Sequence, residues 1–215
     1  IVIDGVIIIG SVYGGSSFGD DMSNGVGALD SNTMIIITSG SVGSVFGGGY
    51  KGETHGNTAI YIGYSSTLTV AGGKTISISG SIYGGGDVGE LSGEDLPFTQ
   101  TMVQGNTSIF INGHANDIDF SGSVFGSGNS CLTGGTAYIE ITDLSFTDDQ
   151  MMESIHRADR VVISGSDLYL EGRAPGVVST KYSFYEIDDL SLKDESRIHL
   201  FSAMDNVRSY SSLNA

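Results

Sequence analysis

Gly10-Ser11-Val12-Tyr13-Gly14-Gly15 returns as Gly43-Ser44-Val45-Phe46-Gly47-Gly48, then as Gly80-Ser81-Ile82-Tyr83-Gly84-Gly85, and again as Gly122-Ser123-Val124-Phe125-Gly126-Ser127. The copies start 33, 37 and 42 residues apart, so one unit recurs with loops of varying length. A second motif interleaves with the first: NTMIII from Asn32, NTAIYI from Asn57, NTSIFI from Asn106 and a degenerate GTAYIEI from Gly135. Its intervals are 25, 49 and 29 residues, which fits a coil of about 25 residues with insertions. Such self-similarity is the signature of a fold built by stacking one supersecondary unit on the next.

The residues between the motifs say what the unit is. Thr75–Ile82 (TISISGSI) and Asp117–Val124 (DIDFSGSV) alternate apolar and small polar residues with period two, the pattern of a half-buried strand. Ile76, Ile78 and Ile82 fall on one face, and Ile118, Phe120 and Val124 on the matching one. The N-T-x-I-x-I segments are rich in β-branched and aromatic residues, which fit a pleated surface. Glycine clusters between strands supply the positive φ expected of sharp corners. Nothing helical interrupts residues 1–145. The fold predicted is all-β, a parallel β-solenoid of the right-handed β-helix kind, with coils about 4.8 Å apart. An antiparallel sandwich or propeller is the competing reading, and it calls for tight Asn-Gly hairpins. Asn24-Gly25 and Asn112-Gly113 are the only such dipeptides. The solenoid is preferred because like strands recur where stacking would place them.

Two regions are expected: Gly-rich solenoid repeats over 1–145, and continuing coils with a helical insertion or cap over 146–215. In the second, glycine thins and charge rises. Thr147 or Asp148 is placed to cap a short helix near residues 148–157, with Met151, Met152 and Ile155 as its buried side. Strands follow at Arg160–Ser164, Asp167–Glu171, Phe184–Leu192 and Arg197–Phe201, and residues 203–215 read as the start of another helix. The chain opens within a strand, IVIDGVIII, and reads as a piece of something longer.

The GS[VI][YF]GGG runs with interleaved N-T-x-I-x-I strands resemble repeats of adhesin-like surface proteins of anaerobic bacteria and methanogenic archaea. Those are thought to form right-handed parallel β-helices, related in architecture to the pectate-lyase superfamily and to autotransporter passengers. The resemblance covers roughly residues 1–145 and implies secretion, a cell-surface location and a stalk or adhesive role. It carries no catalytic residues over.

Composition narrows the chemistry. The chain has 215 residues, 33 of them glycine, and a formal charge of −16 from 9 Lys and Arg against 25 Asp and Glu. With 39% hydrophobic residues it can bury a core. The shortage of cations argues against nucleic acid as a partner, and no apolar run reaches the length of a membrane span. Alternation turns Val12, Val45, Ile82 and Val124 inward, and stacking then aligns Tyr13, Phe46, Tyr83 and Phe125 into an aromatic column. That column is the candidate binding ribbon, for sugar rings or for partner side chains; its plainer reading is a structural ladder. Partners expected are glycans or cell-surface proteins, with self-association into a fibre as a variant.

No cofactor is expected beyond weak Ca²⁺ in the acidic loops, which carry Asp20, Asp21, Glu53, Asp87, Glu90, Glu94 and Asp95. Their spacing matches neither the EF-hand nor the nonapeptide calcium repeat, so the metal ligands stay unassigned. No catalytic residue is assigned. A polysaccharide lyase or hydrolase on the same scaffold is the alternative, requiring converging carboxylates. Yet Asp20-Asp21, Asp148-Asp149 and Asp188-Asp189 are neighbours, whose side chains diverge on a strand. His55, His114, His156 and His199 form no metal pair by spacing. Cys131 reads as an incidental thiol, and Asn106-Thr107-Ser108 as an accidental sequon.

Overall fold

The structure, a computed structural model, describes residues 1–8, 10–16, 28–88, 101–114, 116–146, 151–170, 184–204 and 207–214. The chain opens with β1 (Val2–Ile3), β2 (Val6–Ile7) and β3 (Val12–Tyr13). The next repeat gives β4 (Thr33–Ile37), β5 (Gly40–Val42) and β6 (Val45–Phe46), and the third gives β7 (Thr58–Ile62), β8 (Thr75–Ile78) and β9 (Ile82–Tyr83). Then come β10 (Thr101–Val103), β11 (Thr107–Asn112), β12 (Asp117–Phe120), β13 (Val124–Phe125), β14 (Leu132–Thr133) and β15 (Ala137–Thr142). The last part holds β16 (Ile155–Ser164), β17 (Asp167–Leu170), β18 (Phe184–Lys193), β19 (Arg197–Met204) and β20 (Val207–Asn214).

The protein is all-β among its described residues, and its described strand pairs are parallel save one. The N-T strands line up as β1-β4-β7-β11-β15, the Val/Ile-aromatic strands as β3-β6-β9-β13, and β16 joins the two rows into one sheet. A second sheet runs β12-β8-β5-β2. Each strand therefore pairs with its counterpart one repeat away: Ile35, Ile60, Ile109 and Ile139 form one register row, and Val12, Val45, Ile82 and Val124 another. Both rows are buried, at 0% exposure for the four isoleucines and 7% or less for the others. The predicted inward face is thus the core, which continues through Ile76, Ile78, Ile118 and Phe120. The antiparallel alternative fails here, since of the strand pairs described only β19 with β20 is antiparallel.

Two expectations are corrected. No helix is seen near 148–157: residues 147–150 lie outside the described residues, Met152 bridges to Leu170, and Ile155–Arg157 belong to β16. The reason lies in the repeat. Ile155 pairs with Val124 and His156 with Phe125, so Ser154-Ile155-His156 is a fifth, disguised copy of the Ser-Val-Phe motif. Packing its apolar residue into the existing core outweighs a marginal helical stripe. The helix expected over 203–215 is likewise replaced by β20, which hydrogen-bonds along β19.

The motif glycines also act differently from expectation. Among the described motif copies only Gly10 has a positive φ, 126°. What the others provide is close approach. A Cβ on Gly47 would strike the carbonyl oxygen of Gly84, and one on Gly84 that of Gly126, well inside the 3.0 Å that real Cβ contacts essentially never cross.

Candidate functional site

Each letter of the repeat has a physical task, and together they form ladders along the stacking direction. The threonine of each N-T strand donates its buried hydroxyl to a motif carbonyl: Thr33 to Gly47 O at 2.5 Å, Thr58 to Gly84 O at 2.5 Å, Thr107 to Gly126 O at 2.6 Å. The asparagine beside it accepts from the next repeat, Asn32 Oδ1 from Asn57 N–H and Asn57 Oδ1 from Asn106 N–H, both at 2.8 Å. Asn106 continues the row by accepting from Thr136 N–H at 2.8 Å. Motif serines do the same, Ser44 Oγ accepting from Ser81 N–H and Ser81 Oγ from Ser123 N–H. This is why the two motifs interleave: the hydroxyl of one satisfies the carbonyl that the glycine of the other exposes.

The four aromatics do form one column. Centroids are 4.7 Å apart for Tyr13–Phe46, 4.5 Å for Phe46–Tyr83 and 4.6 Å for Tyr83–Phe125, with interplanar angles of 11°, 3° and 9°. His156 extends the stack on Phe125 at 4.8 Å. Phe46, Tyr83 and Phe125 therefore have both faces covered by neighbouring rings, and Phe46 is only 4% exposed. A sugar ring packs against an aromatic face, and those faces are taken. Tyr13 donates its hydroxyl to Asp87 at 3.1 Å, and burial, ahead of nearby charge, pushes its pKa up to about 12.

Sequence reasoning missed His156, whose signal was the Ser-Ile-His echo of Ser-Val-Phe. It also missed a second stack, Tyr61 on Phe110 at 4.8 Å and 8°, flanked by Tyr64 and Tyr138. The signal for it was the fifth letter of NTAIYI and NTSIFI. A third stack sets Tyr169 on His199 at 4.3 Å.

Several of the remaining candidates are engaged within the fold. Asp87, 8% exposed, accepts from Tyr13 and from Asn129 Nδ2 at 3.1 Å, so it ties repeats together. Glu53 sits 3.3 Å from His55, whose other nitrogen meets Asp30 at 2.5 Å; hydrogen bonding to Asp30, then to Glu53, raises the pKa of this exposed histidine. Asp20, Asp21, Glu90, Glu94, Asp95 and the Asp148-Asp149 pair lie outside the described residues. Of the Asp188-Asp189 pair, Asp189 lies 3.5 Å from Arg160. His199, which lacked a visible partner in the sequence, meets Asp167 at 2.7 Å, and His114 lies 3.6 Å from Asp143. Among the described residues no three His, Cys, Asp or Glu side chains converge as metal ligands would. Cys131 is fully buried and donates to Gly86 O at 3.3 Å; burial, then the charge of Asp87, pushes its thiol up to about 12. That holds it as an unreactive thiol. No helix of the described residues is long and apolar enough to cross a membrane.

Comparison of the chain with protein-family models, with curated proteins and with solved structures found no match to any of them.

Proposed function

We propose that the chain is a parallel β-solenoid serving as a rigid structural or adhesive segment of an extracellular surface protein. The observation that carries this reading is the in-register stacking of successive repeats, each contributing one rung to the asparagine, threonine, serine and aromatic ladders. A body built this way stiffens with every repeat added, because each repeat buries its apolar face on its neighbours. Side chains that an enzyme would free for chemistry are here spent on tying repeats to one another. The formal charge of −16 keeps such a surface hydrated and repels non-specific association. The likeness of the glycine motifs to those of adhesin-like surface proteins points the same way.

The test is binding and assembly of the purified chain. Immobilised protein is offered an array of glycans and extracted cell-surface proteins, while sedimentation follows self-association with concentration. Saturable retention of a surface component, or growth into linear assemblies, supports the role. A monomer that retains nothing on either test would refute it.

A further inference from the structure

A cleft opens where the stack loses a loop. In the earlier repeats a loop separates the end of the Gly motif from the N-T strand, as from Gly48 to Asn57. After His156 that loop is gone, and β16 runs unbroken from Ile155 to Ser164. The loops contribute their own row of paired residues, Leu29, Thr54, Val103 and Thr133. Thr133 ends the row among the described residues, and the step beside it is a cleft of about 190 Å³. That is below the roughly 300–1,000 Å³ of drug-sized sites, so it suits one small group.

Ser127 marks this step. Gly15, Gly48 and Gly85 occupy its place in the other copies of the motif. A Cβ on Gly48 would meet Gly86 N at 2.9 Å, and one on Gly85 would meet Gly128 N at 2.7 Å, so the bond at this position points at the loop of the following repeat. At Ser127 that loop is missing, and the residue is one of those that line the cleft. The residue is 5% exposed, and its hydroxyl has no hydrogen-bond partner. Thr133, also lining the cleft, has a second unpartnered buried hydroxyl. Buried hydroxyls left unpaired cost stability, and here they lie beside an opening.

The charge of the walls selects the ligand. Asp159, Glu186 and Asp188 face one cation, Arg157, giving 1 − 3 = −2, and Arg157 is held 3.2 Å from Glu186. An anion is disfavoured there. A metal ion would want three convergent acidic, His or Cys ligands, which the described residues do not offer. A primary ammonium fits: it is compact, carries three donors and no acceptor, and matches a lining of carboxylate and hydroxyl oxygens. We propose that this cleft binds a primary ammonium group, from a free amine or from a lysine side chain of a partner.

The test is an amide-resonance titration of the full chain with butylammonium, with Nα-acetyl-lysine methylamide and with its Nε-acetylated form. Saturable shifts at Ser127 and Gly135 with both amines, absent with the Nε-acetylated probe, are expected. Ser127→Ala and Asp188→Asn should each weaken binding about tenfold, the effect of losing one charge-assisted hydrogen bond. Tighter binding of the capped lysine than of butylammonium assigns the site to a partner's lysine, and equal binding to a free amine. No saturable shift with either amine, an equal response to the Nε-acetylated probe, or unchanged affinity in both variants would overturn the proposal.

Discussion

Gly84→Ala places one methyl group where the ladders leave no room. The new Cβ would meet the carbonyl oxygen of Gly126 and, at 2.9 Å, the Cβ of Thr107. Both neighbours belong to the following repeat, and one of them is backbone, so no flexible side-chain end can swing clear. To reach ordinary contact at 3.4 Å the two repeats must part locally. Gly84 N–H donates to Phe125 O at 2.8 Å and Thr107 Oγ1 to Gly126 O at 2.6 Å, so parting strains both bonds. Overpacking of a tight core costs about 1–3 kcal/mol. A buried hydroxyl–carbonyl pair pulled apart adds about 1–3 kcal/mol. The sum is about 2–6 kcal/mol, a large share of the roughly 5–15 kcal/mol that holds a domain folded. Gly73→Ala is the control: nothing lies within 4 Å of its added Cβ, and only its φ of +68° resists. That costs about 1–2 kcal/mol. Urea denaturation followed by far-ultraviolet circular dichroism measures both. If Gly84→Ala loses no more stability than Gly73→Ala, close approach is not what these glycines provide.

Thr58→Val should cost about 1–3 kcal/mol in the same assay, because it leaves Gly84 O without its buried donor. Thr54→Val should be neutral or stabilising, since the buried Thr54 hydroxyl has no partner to lose; equal losses in the two variants would contradict the ladder. Phe46→Ala should cost about 3–5 kcal/mol by opening a gap in the middle of the aromatic column, with a loss under about 1 kcal/mol counting against the stack. Alkaline pH should weaken the fold. Tyr13, Tyr138 and Cys131 all have folded pKa values raised to about 12, chiefly by burial, from ordinary values of 10.0, 10.0 and 9.0. The folded state thus holds these protons more tightly than the unfolded chain, and the stability they contribute is whole below pH 9.0 and drains away as pH rises toward 12. A urea midpoint unchanged between pH 8 and pH 11 would refute this; iodoacetamide should modify Cys131 only once the chain unfolds.

How much of this was legible depended on how local the signal was. Period-two alternation marked Ile76, Ile78, Ile118 and Phe120 as one core face, because side-chain direction on a strand is set by the strand itself. The aromatic column followed from repetition alone: four like residues at one place in a stacked unit must meet. The role of the glycines was not local. Whether Gly47 serves φ or clearance depends on the carbonyl of Gly84, 37 residues away, and nothing in the Gly-Gly dipeptide tells the two apart. The segment around Ile155 misled for a related reason. Acids, two methionines and a terminal His-Arg make a plausible short helix in isolation, and only the place of His156 above Phe125 reveals the fifth rung. The cleft was invisible because it is made by a missing loop, and the serine that marks it differs from glycine by one small side chain.

Parallel stacking in register is tested most directly by paired cysteines on the exposed ends of β8 and β12. Thr75 lies opposite Asp117, and Ser77 opposite Asp119, while the native Cys131 is buried away from oxidants. Thr75→Cys with Asp117→Cys should close a disulfide readily under mild oxidation, because register partners on paired strands lie within the roughly 4.4–6.8 Å span that a disulfide bridges. Thr75→Cys with Phe120→Cys, the pair an antiparallel arrangement would bring together, should stay reduced. Closure of the second pair and not the first would contradict the account.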